Sequence, residues 1–406
     1  MTGPLAEIAG VGRDRRRGGY SRHGFTGAEA ELREWFAEAA GRRGLDVRTD
    51  RNGNTWAWWG RPGPGAVLTG SHLDSVPGGG AFDGPLGVAS ALAAVDALRA
   101  AGATPVRPLA VVVFTEEEGG RFGVPCLGSR LMTGSLDPDA ARRLTDDDGV
   151  TLAEAASAAG VDPAGVGADD AALADVACYV ELHVEQGRAL DRLPGTPAVA
   201  VASSILAHGR WRFTVTGQGN HAGTTDLADR RDPMLPAAAA VRAARNAVRD
   251  RRDARATIGR LVPTPGGTNV IASAVDLWLD ARSPDRAQTR AVVDEVTRAV
   301  RAVASDEGCA VEVREESYGD TVLFDADLRD RLVAELRAPD GTGRDVPVLP
   351  TGAGHDAGVL AARVPTAMLF VRNPSGVSHA PEEHAEPDDC AAGVDALSRV
   401  LRSLCG

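Results

Sequence analysis

AVLTGSHLDSVPGGGAFDGPLGVASALAAVDALRA, residues 66–100, contains the signals from which the fold is read. Ala66 to Thr69 is a short apolar run suited to a buried strand, and Pro85 to Ala100 is an alanine-rich helix. Between them His72, Asp74 and Asp83 sit in a loop crowded with glycine. Gly78, Gly79, Gly80 and Gly84 let that loop turn back, so that Asp83 approaches the same point as His72.

Outward from this unit the pattern repeats. Leu109 to Phe114 (LAVVVF), Cys178 to Leu182 and Val364 to Val371 (VPTAMLFV) are apolar without alternation, as strands covered on both faces are. Glu29 to Arg42 places Leu32, Trp35 and Phe36 on one side of a surface helix that ends near Gly44. Asp137 to Val176 is an Asp- and Ala-rich helical excursion, and Gly393 to Leu404 is a closing helix. The fold class is α/β, a mostly parallel sheet with helices on both faces.

From Gly209 the periodicity changes. Arg210 to Thr216 (RWRFTVT) alternates, as a half-buried antiparallel strand does. A helix over Pro236 to Arg251 follows, then strands Ala254 to Val262 and Asn269 to Asp280, a helix Ala287 to Ser305, and a strand Ala310 to Glu315. Strand, helix, strand, strand, helix, strand is the split βαβ order of a ferredoxin-like α+β domain. The expected organisation is a discontinuous first domain, 1–208 and 321–406, interrupted by an inserted domain over 209–320.

Composition narrows the chemistry. A chain of 406 residues at about 150 residues per domain accommodates two or three domains. All 44 basic residues are arginine, so Schiff-base lysines, Walker phosphate loops and Ser-x-x-Lys nucleophiles are excluded. No Gly-x-Ser-x-Gly elbow occurs. The net charge of −12 disfavours nucleic acid, although Arg13 to Arg17 is a locally basic, solvated stretch. No apolar run of membrane-spanning length and no signal pattern is present, which points to a cytoplasmic protein with no membrane partner. Five scattered cysteines read as free thiols.

The chemistry-bearing residues follow the buried strands. His72 and Asp74 come after the first, Glu116, Glu117 and Glu118 after LAVVVF, His183 after CYVEL, and His379 beyond LFVRNPSGVS. Ligands bind at the carboxyl ends of strands in open α/β sheets. Imidazole and carboxylate without thiolate suit zinc or manganese. Read singly, each of these is an ordinary hydrogen-bonded histidine or solvated acid, and a non-enzymatic metal-binding module stays open on these grounds.

The segments GSHLDSVPGGGAFDGPLGV, FTEEEGGRFG, ELHVEQG, GQGNHAGTT, RRDPM, GTNVI, GAGHDA and SHAPEEH occur in an order that resembles the hydantoinase/carbamoylase family of dimetal amidohydrolases. That family includes enzymes acting on allantoate, N-carbamoyl-L-amino acids and β-ureidopropionate, and belongs to the aminoacylase and zinc-carboxypeptidase clan. The resemblance implies two divalent metal ions per subunit, zinc or manganese. His72 and His183 would hold one, Glu118 and His379 the other, and Asp83 would bridge them. It implies Glu117 as general base, Asp74 as the carboxylate orienting His72, and His221 as an oxyanion donor supplied by the partner of a homodimer. Arg282 would grip the substrate carboxylate, with Gln186, Asn269, His355 and the amides of Gly352 and Ala353 as further substrate contacts. The inserted domain would then be a lid and dimerisation domain. The Trp56, Trp58, Trp59 cluster reads as packing.

Two departures bear on substrate. Ala202 to Trp211 reads ASSILAHGRW, with an added His208, and Gly120 stands where the family commonly has serine. The small-molecule substrates are ranked allantoate, then N-carbamoyl-L-amino acids, then N-formyl amino acids. An aminoacylase or dipeptidase of the same clan would accept N-acyl amino acids or dipeptides, and a silent binding homologue would lack a ligand or the base.

Overall fold

The structure, a computed structural model, describes residues 3–337 and 346–406. It divides into two compact units, Met1–Ser203 with Leu323–Gly406, and Ser204–Val322. Along the first unit run strands β1 (Asp46–Thr49), β2 (Thr55–Trp59), β3 (Ala66–His72), β4 (Leu109–Phe114), β5 (Val176–Val184) and β6 (Val199–Ile205). The second carries β7 (Ala207–Thr216), β8 (Asn220–His221), β9 (Arg255–Thr264), β10 (Val270–Ile271), β11 (Ala274–Ser283) and β12 (Ala310–Gly319). The chain returns through β13 (Val322–Leu323), β14 (Val348–Thr351) and β15 (Thr366–Val371).

The large sheet has the order β1-β2-β4-β3-β5-β15-β6-β13, with β14 beside β6. Its centre, β4-β3-β5-β15, is parallel throughout, while β1, β2 and β6 pair antiparallel at its margins. Of the central strands, β3, β4 and β15 are buried along their whole length and β5 everywhere but at Ala177, which explains their apolar runs. Helices Pro85–Ala100 and Pro387–Cys405 join the core through Val88, Leu92, Leu397 and Leu401. Helices Leu127–Thr133 and Asp356–Leu360 pack on each other, and the latter on β5 and β15. The mostly parallel sheet is therefore as expected.

Two boundaries differ. The ladders continue past the apolar runs, His72 pairing with Phe114 and His183 with Phe370, so both histidines are strand residues rather than loop residues. Hydrogen bonding between parallel backbones is indifferent to side-chain polarity. The segment expected as one strand over Asn269 to Asp280 is split, because β10 pairs with β8 in its own ribbon while β11 pairs with β7 and β9.

The 137–176 segment forms three short helices, Pro138–Arg142, Leu152–Ala158 and Asp170–Asp175. Ala141, Leu152, Ala155 and Val166 share a small core with Phe122, Leu127 and Leu131, behind the loop that follows Glu118. Trp56 and Trp58 are buried and stacked, as packing residues are.

In the second unit the sheet order is β12-β7-β11-β9, antiparallel throughout. Helices Met234–Ala247 and Arg286–Asp306 supply Ala237, Ala240, Val292, Val296 and Val300 to a core with Trp211, Phe213, Val215 and Leu277. No helix among the described residues is long and apolar enough to cross a membrane.

Candidate metal centre

Adjacent parallel strands bring their carboxyl ends side by side, and here that edge gathers His72 from β3, His183 from β5, the Glu116–Glu118 run after β4, and His379 beyond β15. Asp83, in the β3-to-helix loop, lies at the centre. Its Oδ1 is 3.6 Å from His72 Nε2 and 3.2 Å from His183 Nε2, and its Oδ2 is 3.3 Å from His379 Nε2. Glu118 Oε2 stands 3.3 Å from the same nitrogen of His379. One carboxylate thus faces two donor sets, one through each oxygen.

The loop geometry is set by specific contacts. Gly84 has φ +83°, and a Cβ there would lie 2.3 Å from the His72 ring, so the turn after Asp83 needs glycine. Asp74 Oδ1 and Oδ2 accept the backbone N–H groups of Glu117 and Glu118 at 3.1 and 3.0 Å. His72 Nδ1 is 3.1 Å from the Asp74 carbonyl oxygen and 3.4 Å from its carboxylate. Asp74 therefore orients the imidazole mainly through its backbone, and its carboxylate holds the next loop. Glu116 accepts from the N–H groups of Gly24, Arg121 and Phe122 and serves as a buried anchor.

Glu117 meets the cluster through one oxygen. Its Oε2 is 3.6 Å from His72 Nε2, while Oε1 accepts a hydrogen bond from the Cys126 thiol at 3.2 Å. Asp356 completes a buried trio with these two residues. Burial, against the pull of His72, pushes Glu117 well above the ordinary carboxylate range. Burial and then the neighbouring Asp83 raise Glu118 to about 7. Asp83 behaves oppositely: burial would raise it, but His183, His379 and His72 hold it well below its usual value. His379 rises to about 9 beside Asp83, against burial.

The donor set fits a pair of divalent cations. His72 Nε2 and His183 Nε2 are buried and have no hydrogen-bond partner among the described residues. Their separations from Asp83 are at or beyond the long end of the N–H···O range. Two ligand atoms each about 2.0–2.1 Å from one tetrahedral ion would stand roughly 3.3 Å apart. His72, Asp83 and His183 make one candidate group, and Asp83, Glu118 and His379 another. Nitrogen and oxygen donors of this kind suit zinc or manganese.

The expected substrate contacts are placed differently from one another. Gln186 Nε2 donates to Asp83 Oδ2 at 2.8 Å, so it touches the central carboxylate itself. His355 is buried with its ring 4.4 Å from that of His183, and burial and then His183 hold it well below its usual value. Gly352 and Ala353 lie in the short turn after β14, where the Ala353 N–H donates to Thr351 Oγ1 at 3.1 Å. In the second unit His221 and Asn269 are exposed neighbours: His221 pairs with Val270, and the Ala222 N–H donates to the Asn269 carbonyl. Arg282 pairs with Asp280 at 2.8 and 3.0 Å. It stands opposite His208 in the β11–β7 ladder, at the far end from Ala274 and Thr216.

Sequence reasoning passed over Cys126, Asp356, Glu383 and Ser378. Asp356, Ser378 and Glu383 lie within motifs already quoted and Cys126 three residues beyond another, but a thiol, a serine and a second acid in a polar loop carry no spacing signal of their own.

A family model described as peptidase family M20/M25/M40 matches residues 68–403. The chain is 37% identical to the N-carbamoyl-L-amino acid amidohydrolase of Geobacillus stearothermophilus over 406 residues, covering 98% of this chain and 97% of that one. It is 30% identical to the allantoate amidohydrolase of Escherichia coli K12, covering 95% and 93% of the two chains. Among solved structures, a hydantoinase/carbamoylase family amidase from Burkholderia vietnamiensis superposes with a TM-score of 0.85 at 30% identity, covering 99% of this chain and 95% of that one.

Proposed function

Since the chain belongs to peptidase family M20/M25/M40, in its hydantoinase/carbamoylase branch, it is a hydrolase of carbon–nitrogen bonds other than peptide bonds, and we propose that it cleaves the ureido bond of a small carboxylated substrate at a dimetal centre. The observation that carries this reading is the Asp83 carboxylate, with one oxygen toward His72 and His183 and the other toward His379.

Divalent cations held by His72, His183 and Asp83 and by Asp83, Glu118 and His379 supply, when bound, the Lewis acidity that activates water and polarises a carbonyl. Glu117 Oε2 presents a proton acceptor to the same space, and the hydrogen bond from Cys126 keeps Oε1 turned away. A carboxylate raised by burial suits a group that takes a proton from water and returns it to the leaving nitrogen. Asp74 fixes Glu117 and Glu118 through their backbones, so base and ligand move as one piece.

The ferredoxin-like second unit supplies the rest. Arg282 has the planar fork that matches a carboxylate, and substrate would displace Asp280 from it. Arg282 and the His221–Asn269 pair cannot meet one small substrate from a single chain. Ala274 and Arg282 alone are eight strand residues apart, about 26 Å, and the pair lies beyond Ala274. A ureido acid is no longer than an extended tripeptide, about 10 Å. This spacing supports a homodimer in which His221 and Asn269 serve the partner's centre. Mixed dimers of His221→Ala and Glu117→Gln protomers should then regain activity that neither variant has alone. No recovery in proven mixed dimers would remove the role in trans.

The substrate class is tested with allantoate, N-carbamoyl-L-amino acids, N-formyl and N-acetyl amino acids and dipeptides, each assayed with zinc and with manganese. Ureido acids should be turned over, and a ureido acid should exceed its own carboxamide by about tenfold or more, since a charge-assisted contact is lost. Preference for dipeptides or N-acetyl amino acids would make the enzyme an aminoacylase or peptidase instead.

A further inference from the structure

Glu383 lies four residues after His379, in SHAPEEH, and is 5% exposed. Its Oε1 accepts the backbone N–H groups of both Phe82 and Asp83, each at 2.9 Å. Its Oε2 is 3.2 Å from Ser378 Oγ, which is also 3.1 Å from Asp83 Oδ2. Room for this carboxylate exists because residue 80 is glycine: a Cβ there would lie 2.2 Å from Oε1. One buried side chain thus joins the loop that carries Asp83 to the loop that carries His379. Its two N–H partners belong to Asp83 and the residue before it.

We propose that Glu383 is a positioning residue that locks the Asp83 loop against the His379 loop, so that both cation subsites are assembled together. This rests on the dimetal reading and adds to it a residue that touches neither cation. Asp83 is common to both candidate groups, so a displacement of its backbone disturbs both at once. Ligand geometry tolerates only about 0.5 Å of error. A single oxygen accepting from two converging N–H groups fixes both backbone positions at once. Ser378 extends the tie to the residue preceding His379.

The test is titration of the full-length protein with cobalt(II), followed by visible absorption, with circular dichroism to confirm folding. The unmodified protein should bind two equivalents. Glu383→Leu should weaken both by at least about tenfold, the scale seen for groups that support metal ligands. Glu383→Gln keeps an oxygen for the Phe82 and Asp83 N–H groups and should stay within a few-fold of the unmodified protein. Gly80→Ala leaves Glu383 in the sequence but fills its seat, and should reproduce the Glu383→Leu result. It also carries the test should Glu383→Leu not fold. Undiminished binding of both equivalents by a folded Glu383→Leu or Gly80→Ala protein, or weakening of one equivalent alone, overturns the proposal. Fewer than two equivalents in the unmodified protein would instead defeat the dimetal reading on which it rests.

Discussion

Glu117 is held at one oxygen by a thiol and presents the other to the centre, and this division makes its role separable from that of its neighbour. Glu117→Gln should lower turnover by about 10² to 10⁴ while both cations stay bound, as measured by steady-state assay and metal analysis. Loss of a cation in that variant would make Glu117 a ligand. Strand ends and the glycine-rich loop made His72, Asp83, the Glu116–Glu118 run, His183 and His379 legible as a group, and the family resemblance singled out the five proposed ligands among them. The residues that hold those ligands were not legible. Glu383 and Phe82 are 301 positions apart, and the bond between them runs to a backbone N–H that every residue but proline possesses. Asp74 shows the same limit: its presence was readable, but its use of both carboxylate oxygens on another loop was not.

At the scale of elements, the helix Gly27–Arg42 shows what apolar periodicity reports and what it omits. Leu32 and Phe36 are fully buried, as their spacing requires. Arg33, on the flank of that stripe, donates to the Gly53 carbonyl, Thr55 Oγ1 and Thr115 Oγ1 and pairs with the buried Glu29. The helix is thereby fastened to β2 and to the residue before Glu116. Arg33→Met should cost about 3–5 kcal/mol in denaturant unfolding, because Glu29 is left buried without its cation. A loss below about 1 kcal/mol would show the network to be incidental. Strands β1, β2, β6, β8, β13 and β14 were not anticipated; those that were, apart from the split β10 and β11, were readable in position to within a few residues. The ends of β3 and β5 were not, since ladders of parallel backbone extend through polar residues that carry no apolar signal.

For the whole molecule, protons and cations compete for the same groups. In the cation-free protein His379 is raised from 6.5 to about 9, and Glu116 and Glu118 from 4.5 to about 7. Each binds its proton more tightly folded than unfolded. The stability they lend is present at low pH and falls as pH rises from about 5 to about 9. With cations bound, His379 and Glu118 must give up those protons, so their share of the stability rises only until the unfolded histidine has titrated, near 6.5, and is level above it. Melting temperatures across that range, with chelator and with excess zinc or manganese, should diverge toward alkaline pH; parallel curves would count against shared occupancy. The order of folding follows from another whole-molecule feature. The first unit breaks off at Ser203 and resumes at Leu323, where the Phe324 N–H donates to the Ser203 carbonyl at 3.2 Å. Strand β15, which fills the gap between β5 and β6, is synthesised only after the interruption. Left as a slack loop of roughly 120 residues, that interruption would charge about 4 kcal/mol of closure entropy to the late pairing. Once the second unit has folded, its two ends already lie together, and the growing chain meets its unfinished sheet across the distance of a turn.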